Sequence, residues 1–182
     1  MTMSATLSRH PPGARDDRAL AMAAWEIESR SWGGLVQPLS SQAKRVLCLD
    51  AIGLCLASFR PSLEEALGAR PARLARRALE LLRADDYVPN GPGGEFRDTL
   101  RALREGDQCA PVASVVTALT EYADAMPADL TASTVLLVMS ACYEAVMHAD
   151  RRARVTAAGR GGQALTRLIS AQRGLIDAAA LA

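Results

Sequence analysis

The sequence predicts an all-α protein, a single-domain bundle of about seven or eight helices. Three observations lead to this prediction. Apolar residues recur at helical spacing along most of the chain, and capping residues and prolines separate these stretches from one another. Aromatic residues make up only 4% of the 182 residues, so the core must be built from Ala, Leu, Val and Met, of which Ala and Leu are strong helix formers.

The N-terminal part divides into a tail and the first helix. Residues 1–17 are rich in Ser, Thr, Pro and charge, and they are predicted to be a flexible tail before a single helical domain over 18–182. A helical pattern with two tryptophans seven residues apart starts at Asp17. Gly33 and Gly34 are predicted to end it.

The next helices are marked by their caps. Ser40 or Ser41 caps a helix that is apolar on nearly every face, which is typical of a central helix. Ser62, with Glu65 at the capping-box position, opens a short helix. Pro71 then lies in the first turn of an amphipathic helix rich in Arg and Leu.

The second half is predicted to be helical as well. Residues 87–94 form a loop with two Pro and three Gly, and a short amphipathic helix follows it. Asp107 can cap the next helix, Thr131 or Asp129 the one after it, and the last helix covers 163–181. The β-branched runs VASVVT and STVLLVM lie inside longer helical frames, so both are predicted to be helix.

Composition excludes several classes of partner and site. Basic and acidic residues number 21 and 20, so no global field attracts nucleic acid or an anionic membrane. Cys48 and Cys55 lie two helical turns apart, about 10 Å along a helix, which is too far for a disulfide. Buried free thiols in a reducing cytoplasm are expected. The N-terminus lacks an apolar signal core and no apolar stretch is expected to reach transmembrane length, so we predict no membrane partner.

The stretch LLVMSACYEAVMHAD at 136–150 carries polar residues in a core-like helix. Ser140, Glu144 and His148 have i, i+4, i+8 spacing and therefore share one stripe. A hydrolytic triad needs the His between the nucleophile and the acid, whereas here the Glu lies between them. The spacing favours a local Glu144–His148 pair near the helix C-terminus, where a charged His complements the helix dipole.

No metal or cofactor site is predicted. His148 is the only His within the predicted domain, no Glu-x-x-His occurs, and the cysteines lack zinc-site spacing. The glycine-rich segments 91–96 and 158–165 do not match a phosphate-binding loop, and we interpret the second as a hinge between helices. The second could still bind an anion, because it places Arg160 and glycine amides before a helix N-terminus.

Asp50 lies in the middle of the apolar helix VLCLDAIGLCL and is predicted to be buried. A buried carboxylate must be paired, and a structural Asp50–Arg pair is favoured, with Gly53 and Ala57 leaving space on that side. The alternative is a polar site for a small molecule or for catalysis. Its candidate residues are Asp50, Tyr143, Glu144 and His148.

The C-terminal part suggests a partner surface. Residues 151–182 contain six Arg and one Asp, a local charge of +5, without an interleaved aromatic for nucleic-acid stacking. A helical nucleic-acid partner that uses 151–173 is a third hypothesis. A docking surface for an acidic protein partner fits better, and its candidates are Arg151, Arg152, Arg154 and Arg160. The apolar stripe of 163–181 can close the bundle or join a second copy.

The order of segments over residues 39–150 resembles a known protein class. LSSQAKRVLCLDAIGLCLASFRPSLEEAL is followed by an Arg/Leu helix with ALELL, a glycine loop and a late Cys-Tyr-Glu helix. This order resembles the all-helical immunity proteins of bacterial polymorphic toxin systems. The resemblance implies a cytoplasmic, non-catalytic bacterial protein that binds and blocks a toxin, and it implies no functional residue. The sequence therefore predicts a non-catalytic protein-binding module, either a toxin-immunity protein or a regulatory partner.

Overall fold

A computed structural model describes residues 13–84, 94–106, 109–126, 129–156 and 162–181. Within these ranges the chain forms nine α-helices and no strand, which confirms the predicted all-α single domain. The helices are α1 (Gly13–Ser29), α2 (Trp32–Val36), α3 (Ser41–Ser58), α4 (Leu63–Leu67), α5 (Ala69–Arg83), α6 (Glu95–Arg104), α7 (Ala110–Ala125), α8 (Ala132–Thr156) and α9 (Gly162–Leu181).

The beginning of the chain differs from the sequence prediction in two ways. Helix α1 begins at Gly13, so residues 13–17 are helical and not part of a flexible tail, while residues 1–12 lie outside the described residues. Gly33 lies within α2 and does not end the first helix. The reason is that Trp32 and Val36 are both buried in the core, and their packing holds this glycine-containing turn helical.

Three predicted helix caps are confirmed. The Ser40 and Ser62 hydroxyls accept hydrogen bonds from the backbone amides three residues later, at 3.1 and 3.2 Å. Thr131 does the same at the start of α8, at 3.1 Å. Asp107, the predicted cap of α7, lies outside the described residues. Both β-branched runs are helical, because tertiary packing of long apolar helices overrides their weak strand preference.

Helix α8 is the centre of the bundle, with its most extensive contacts to α7 and α3. The Ser41 hydroxyl donates to Asp129 at 2.9 Å, and the Cys55 thiol donates to the Cys142 carbonyl oxygen at 3.4 Å. These two contacts are separated by almost equal numbers of residues in the two segments, so α3 and α8 run parallel. Because α8 continues to Thr156, it includes part of the basic segment that was expected to follow it.

Part of α8 is long and apolar enough to cross a membrane. Among the described residues, one such segment is found, Ala132–Arg151, with a mean hydropathy of 1.3. The expectation that no stretch reaches this length was therefore wrong. Because 61% of the segment is buried inside the protein, the central position of α8 in the bundle accounts for its apolar composition.

Helix α9 closes the bundle on the side of α3. Leu168 and Ile176 of its apolar stripe are buried against the same chain, where α9 packs on α2, α3 and α8. Of the two roles expected for this stripe, the structure shows bundle closure. Self-association through 163–181 stays a prediction.

Candidate functional site

Asp50 lies at the surface and not in the interior. Its side chain is 48% exposed, and its Oδ1 accepts a hydrogen bond from Nη2 of Arg83 on α5 at 3.4 Å. The predicted Asp50–Arg pair is confirmed, whereas the predicted burial is wrong because α5 covers this side of α3 only in part. A Cβ on Gly53 would lie 2.7 Å from the same Nη2, so the glycine leaves the space that the guanidinium occupies.

Tyr143 is a buried structural donor. Its hydroxyl donates to the Ala21 carbonyl oxygen at 3.0 Å, and its ring centroid lies 6.3 Å from that of Trp25. Burial raises the pKa of the phenol, with a further contribution from Asp150. The hydroxyl is therefore neutral at physiological pH and ties α8 to α1. Asp50 and Tyr143 have partners on different helices, so the structure does not bring these two predicted site residues together.

The polar stripe of α8 lies at the edge of the bundle. Ser140, Glu144 and His148 are each half-buried, in line with the exposed Leu137 one turn earlier. The face of α8 that carries these three residues is therefore partly exposed to solvent, although the helix itself is central to the core. The Glu144–His148 ion pair stays a prediction.

Gln172 of α9 joins three helices through its buried amide. Its side chain is 0% exposed; it accepts a hydrogen bond from Trp25 Nε1 at 3.0 Å and donates from Nε2 to the Met139 carbonyl oxygen at 2.8 Å. This residue was not predicted from the sequence. The available signal was its place in the apolar spacing of α9, four residues after Leu168 and four before Ile176.

The cysteines between α3 and α8 are packing residues. All four cysteines are free thiols, as predicted, and Cys48, Cys55 and Cys142 are buried. Burial raises the pKa of Cys48 to about 12. A hydrogen bond with Cys55, and then burial, raises the pKa of Cys142 well above its ordinary value. These two thiols therefore stay protonated, and the protonated form is a poor nucleophile and a poor metal ligand.

The predicted arginine surface lies mostly beyond what the structure describes. Arg151 is half-buried near the C-terminal end of α8. Arg152 and Arg154 belong to the helical backbone of α8, but their side chains lie outside the described residues, as does the whole of Arg160.

The outer face of α1 exposes apolar side chains. Leu20 is 70% exposed and Ile27 is 65% exposed, with the exposed Ala24 between them at i, i+4, i+7 spacing. We call these three residues the α1 ridge. The opposite face of α1 carries Trp25, whose indole packs edge-on against Trp32 with centroids 6.0 Å apart. The helix has two apolar faces, and the one with the larger aromatic area is buried.

Comparisons with known proteins give no relative. No family model, no curated protein sequence and no solved structure matches this chain. Among the residues that the structure describes, no group of three or more His, Cys, Asp or Glu side chains could hold a metal ion.

Proposed function

We propose that this protein is a non-catalytic helical binding module and that the α1 ridge binds an amphipathic helix of a partner protein. The observation that carries the proposal is the exposure of Leu20 and Ile27 on one face of a helix whose other face is anchored by Trp25. The two large side chains are thus presented to solvent by a supported helix rather than by a loose end.

The chemistry of the ridge favours a helical partner. Apolar side chains at i, i+4 and i+7 lie on one stripe of a helix, which is the arrangement through which amphipathic helices dock on their partners. Full burial of each large apolar side chain contributes roughly 1.5–3 kcal/mol. The exposed Glu26 and Glu28 lie beside the ridge, so a partner helix with basic residues next to its apolar stripe would complement it.

The interior supports binding rather than catalysis. The Tyr143 hydroxyl and the Gln172 amide are engaged in holding helices together. Among the described residues, every buried side-chain nitrogen or oxygen has a hydrogen-bond partner. The polar groups of the core therefore already serve the fold.

The resemblance of residues 39–150 to immunity proteins favours a toxin as the partner and a bacterial cytoplasm as the location. A regulatory protein is the alternative partner. Helix α1 lies outside the resembling segment, so the resemblance and the ridge support the proposal independently of each other.

The test compares charged substitutions at exposed apolar residues on two surfaces, the α1 ridge and α8. Partners are isolated from the native host with three proteins: the full chain, a Leu20→Glu/Ile27→Glu variant and a Leu137→Glu control. Leu137 is 54% exposed on α8, so the control also adds a charge at an exposed leucine. We expect one stoichiometric partner with the wild type and the control, and its loss with the α1 variant. The purified partner should then reproduce these affinities in a two-component titration.

Two results would contradict the proposal. One is a partner that binds all three proteins equally, which would place the interface elsewhere. The other is a concentration-dependent homodimer, seen by light scattering, that the α1 variant abolishes; the ridge would then be covered by a second copy of this chain.

A further inference from the structure

A groove lies between the end of α3 and the first half of α9, and it belongs to neither surface discussed above. Its volume is about 260 Å³. The lining residues are Leu54, Ser58, Arg60, Gln163, Ala164, Arg167, Leu168 and Ala171. The buried Phe59 anchors the chain where it leaves α3, and the next residue, Arg60, lines the groove together with Arg167 of α9.

The two arginines of the groove differ from three of the five arginines of α5. Arg76, Arg77 and Arg83 on α5 each form an ion pair with a carboxylate. Within the described ranges, by contrast, no carboxylate pairs with Arg60 or Arg167, and Arg60 donates only to its neighbouring carbonyl oxygen at 3.4 Å. Two guanidinium groups at one groove without a carboxylate partner offer positive charge to an oxyanion, because each can donate two parallel hydrogen bonds.

We infer that this groove binds a small phosphorylated molecule, whose phosphate is held by Arg60 and Arg167. The amides in the first turn of α9 add partial positive charge on the same side, since Gln163 and Ala164 line the groove. Leu54 and Leu168 supply an apolar wall for the rest of the molecule.

The dimensions of the groove decide the size of the ligand. Its volume is below the range of roughly 300–1,000 Å³ found for drug-sized ligands, so a phosphate with a short apolar group fits and a dinucleotide does not. The lining contains no aromatic side chain on which a base could stack, which disfavours a single-stranded nucleic acid.

The test uses phenyl phosphate and inorganic phosphate as probes of the full chain, titrated calorimetrically at matched ionic strength. We expect phenyl phosphate to bind the wild type more tightly than inorganic phosphate does. Arg60→Gln and Arg167→Gln should each weaken binding roughly tenfold or more, because each removes charge-assisted hydrogen bonds. Ala164→Phe, which fills the groove and keeps both charges, should weaken phenyl phosphate at least as strongly.

The matched control is Arg73→Gln, which removes an exposed arginine of α5 outside the groove. It should leave the affinity unchanged. An equal loss of affinity with this control would show attraction to general surface charge and overturn the inference. So would absence of binding to the wild type, an Ala164→Phe protein that binds normally, or tighter binding of phenylacetate than of phenyl phosphate. None of these outcomes depends on whether the α1 ridge binds a partner.

Discussion

The two sides of α3 differ in whether their polar side chains are buried or exposed to solvent. Towards α8, Cys48 and Cys55 are buried, and burial raises the Cys48 pKa to about 12. Towards α5, Asp50 keeps about half of its surface in water and pairs with Arg83 across Gly53. The difference comes from the neighbouring helices: α8 is apolar on the side that it presents, whereas α5 is strongly amphipathic and brings arginine to its margin. The sequence of one helix therefore does not decide which of its polar groups meets water.

The largest expected difference between the two sides of α3 is in the loss of folding stability when a side chain is truncated to alanine. Ile52 lies one turn after Cys48 and is 1% exposed, so Ile52→Ala should lower the free energy of unfolding by about 2–5 kcal/mol through lost burial and a cavity. Asp50→Ala should change it by less than about 1 kcal/mol, because exposed ion pairs contribute little. Urea denaturation followed by circular dichroism measures both values. A cost for Asp50→Ala as large as that for Ile52→Ala would contradict the contrast.

Local features of the fold were predictable because they depend on neighbouring residues. The caps at Ser40, Ser62 and Thr131 need only a side chain and an amide three residues later. The exposure of Asp50 was not predictable from the sequence of α3. Apolar residues occur on nearly every face of this helix, so their spacing does not indicate which face is in contact with solvent. The pairing of Gln172 with Trp25 joins residues 147 positions apart, so no local pattern contains it.

The buried amide of Gln172 is expected to stabilise the fold through its hydrogen bonds in the core. Gln172→Leu keeps a similar volume but leaves the Trp25 indole N–H and the Met139 carbonyl oxygen without this partner. A buried polar group that loses its hydrogen bond costs about 1–3 kcal/mol, so we expect a loss of that order. Unfolding followed by tryptophan fluorescence measures it. The control is Gln163→Leu, since Gln163 is exposed on the same helix. Equal stability of the two variants would mean that the buried amide is dispensable.

The third prediction is a pH dependence from the thiol side of α3. A cysteine thiol has an ordinary pKa of 9.0, and burial in the folded protein raises that of Cys48 to about 12. Between these two pH values the folded state therefore keeps a proton that the unfolded state loses. This contribution to stability is complete below pH 9 and is lost as the pH rises from 9 towards 12, at up to about 1.4 kcal/mol per pH unit. Chemical denaturation between pH 8 and 10.5 should show a shallower decline for Cys48→Ala than for the wild type. Parallel declines would show that Cys48 does not retain its proton.

The smallest effect, and the one with the opposite sign, is expected on the wet side. In Gly53→Ala the new Cβ would meet Nη2 of Arg83 at 2.7 Å, but that atom ends a flexible, half-exposed side chain that can move into solvent. Alanine in a helix interior is favoured over glycine by about 1 kcal/mol, whereas the exposed Asp50–Arg83 pair contributes about 0–1 kcal/mol. Gly53→Ala should therefore be neutral or stabilising, by up to about 1 kcal/mol.

In an Arg83→Ala background the gain should be larger, because no guanidinium needs to be displaced. A destabilising Gly53→Ala that Arg83→Ala does not relieve would show that the space beside Gly53 serves the packing of Leu79 instead, whose Cδ2 lies 3.7 Å from the same position.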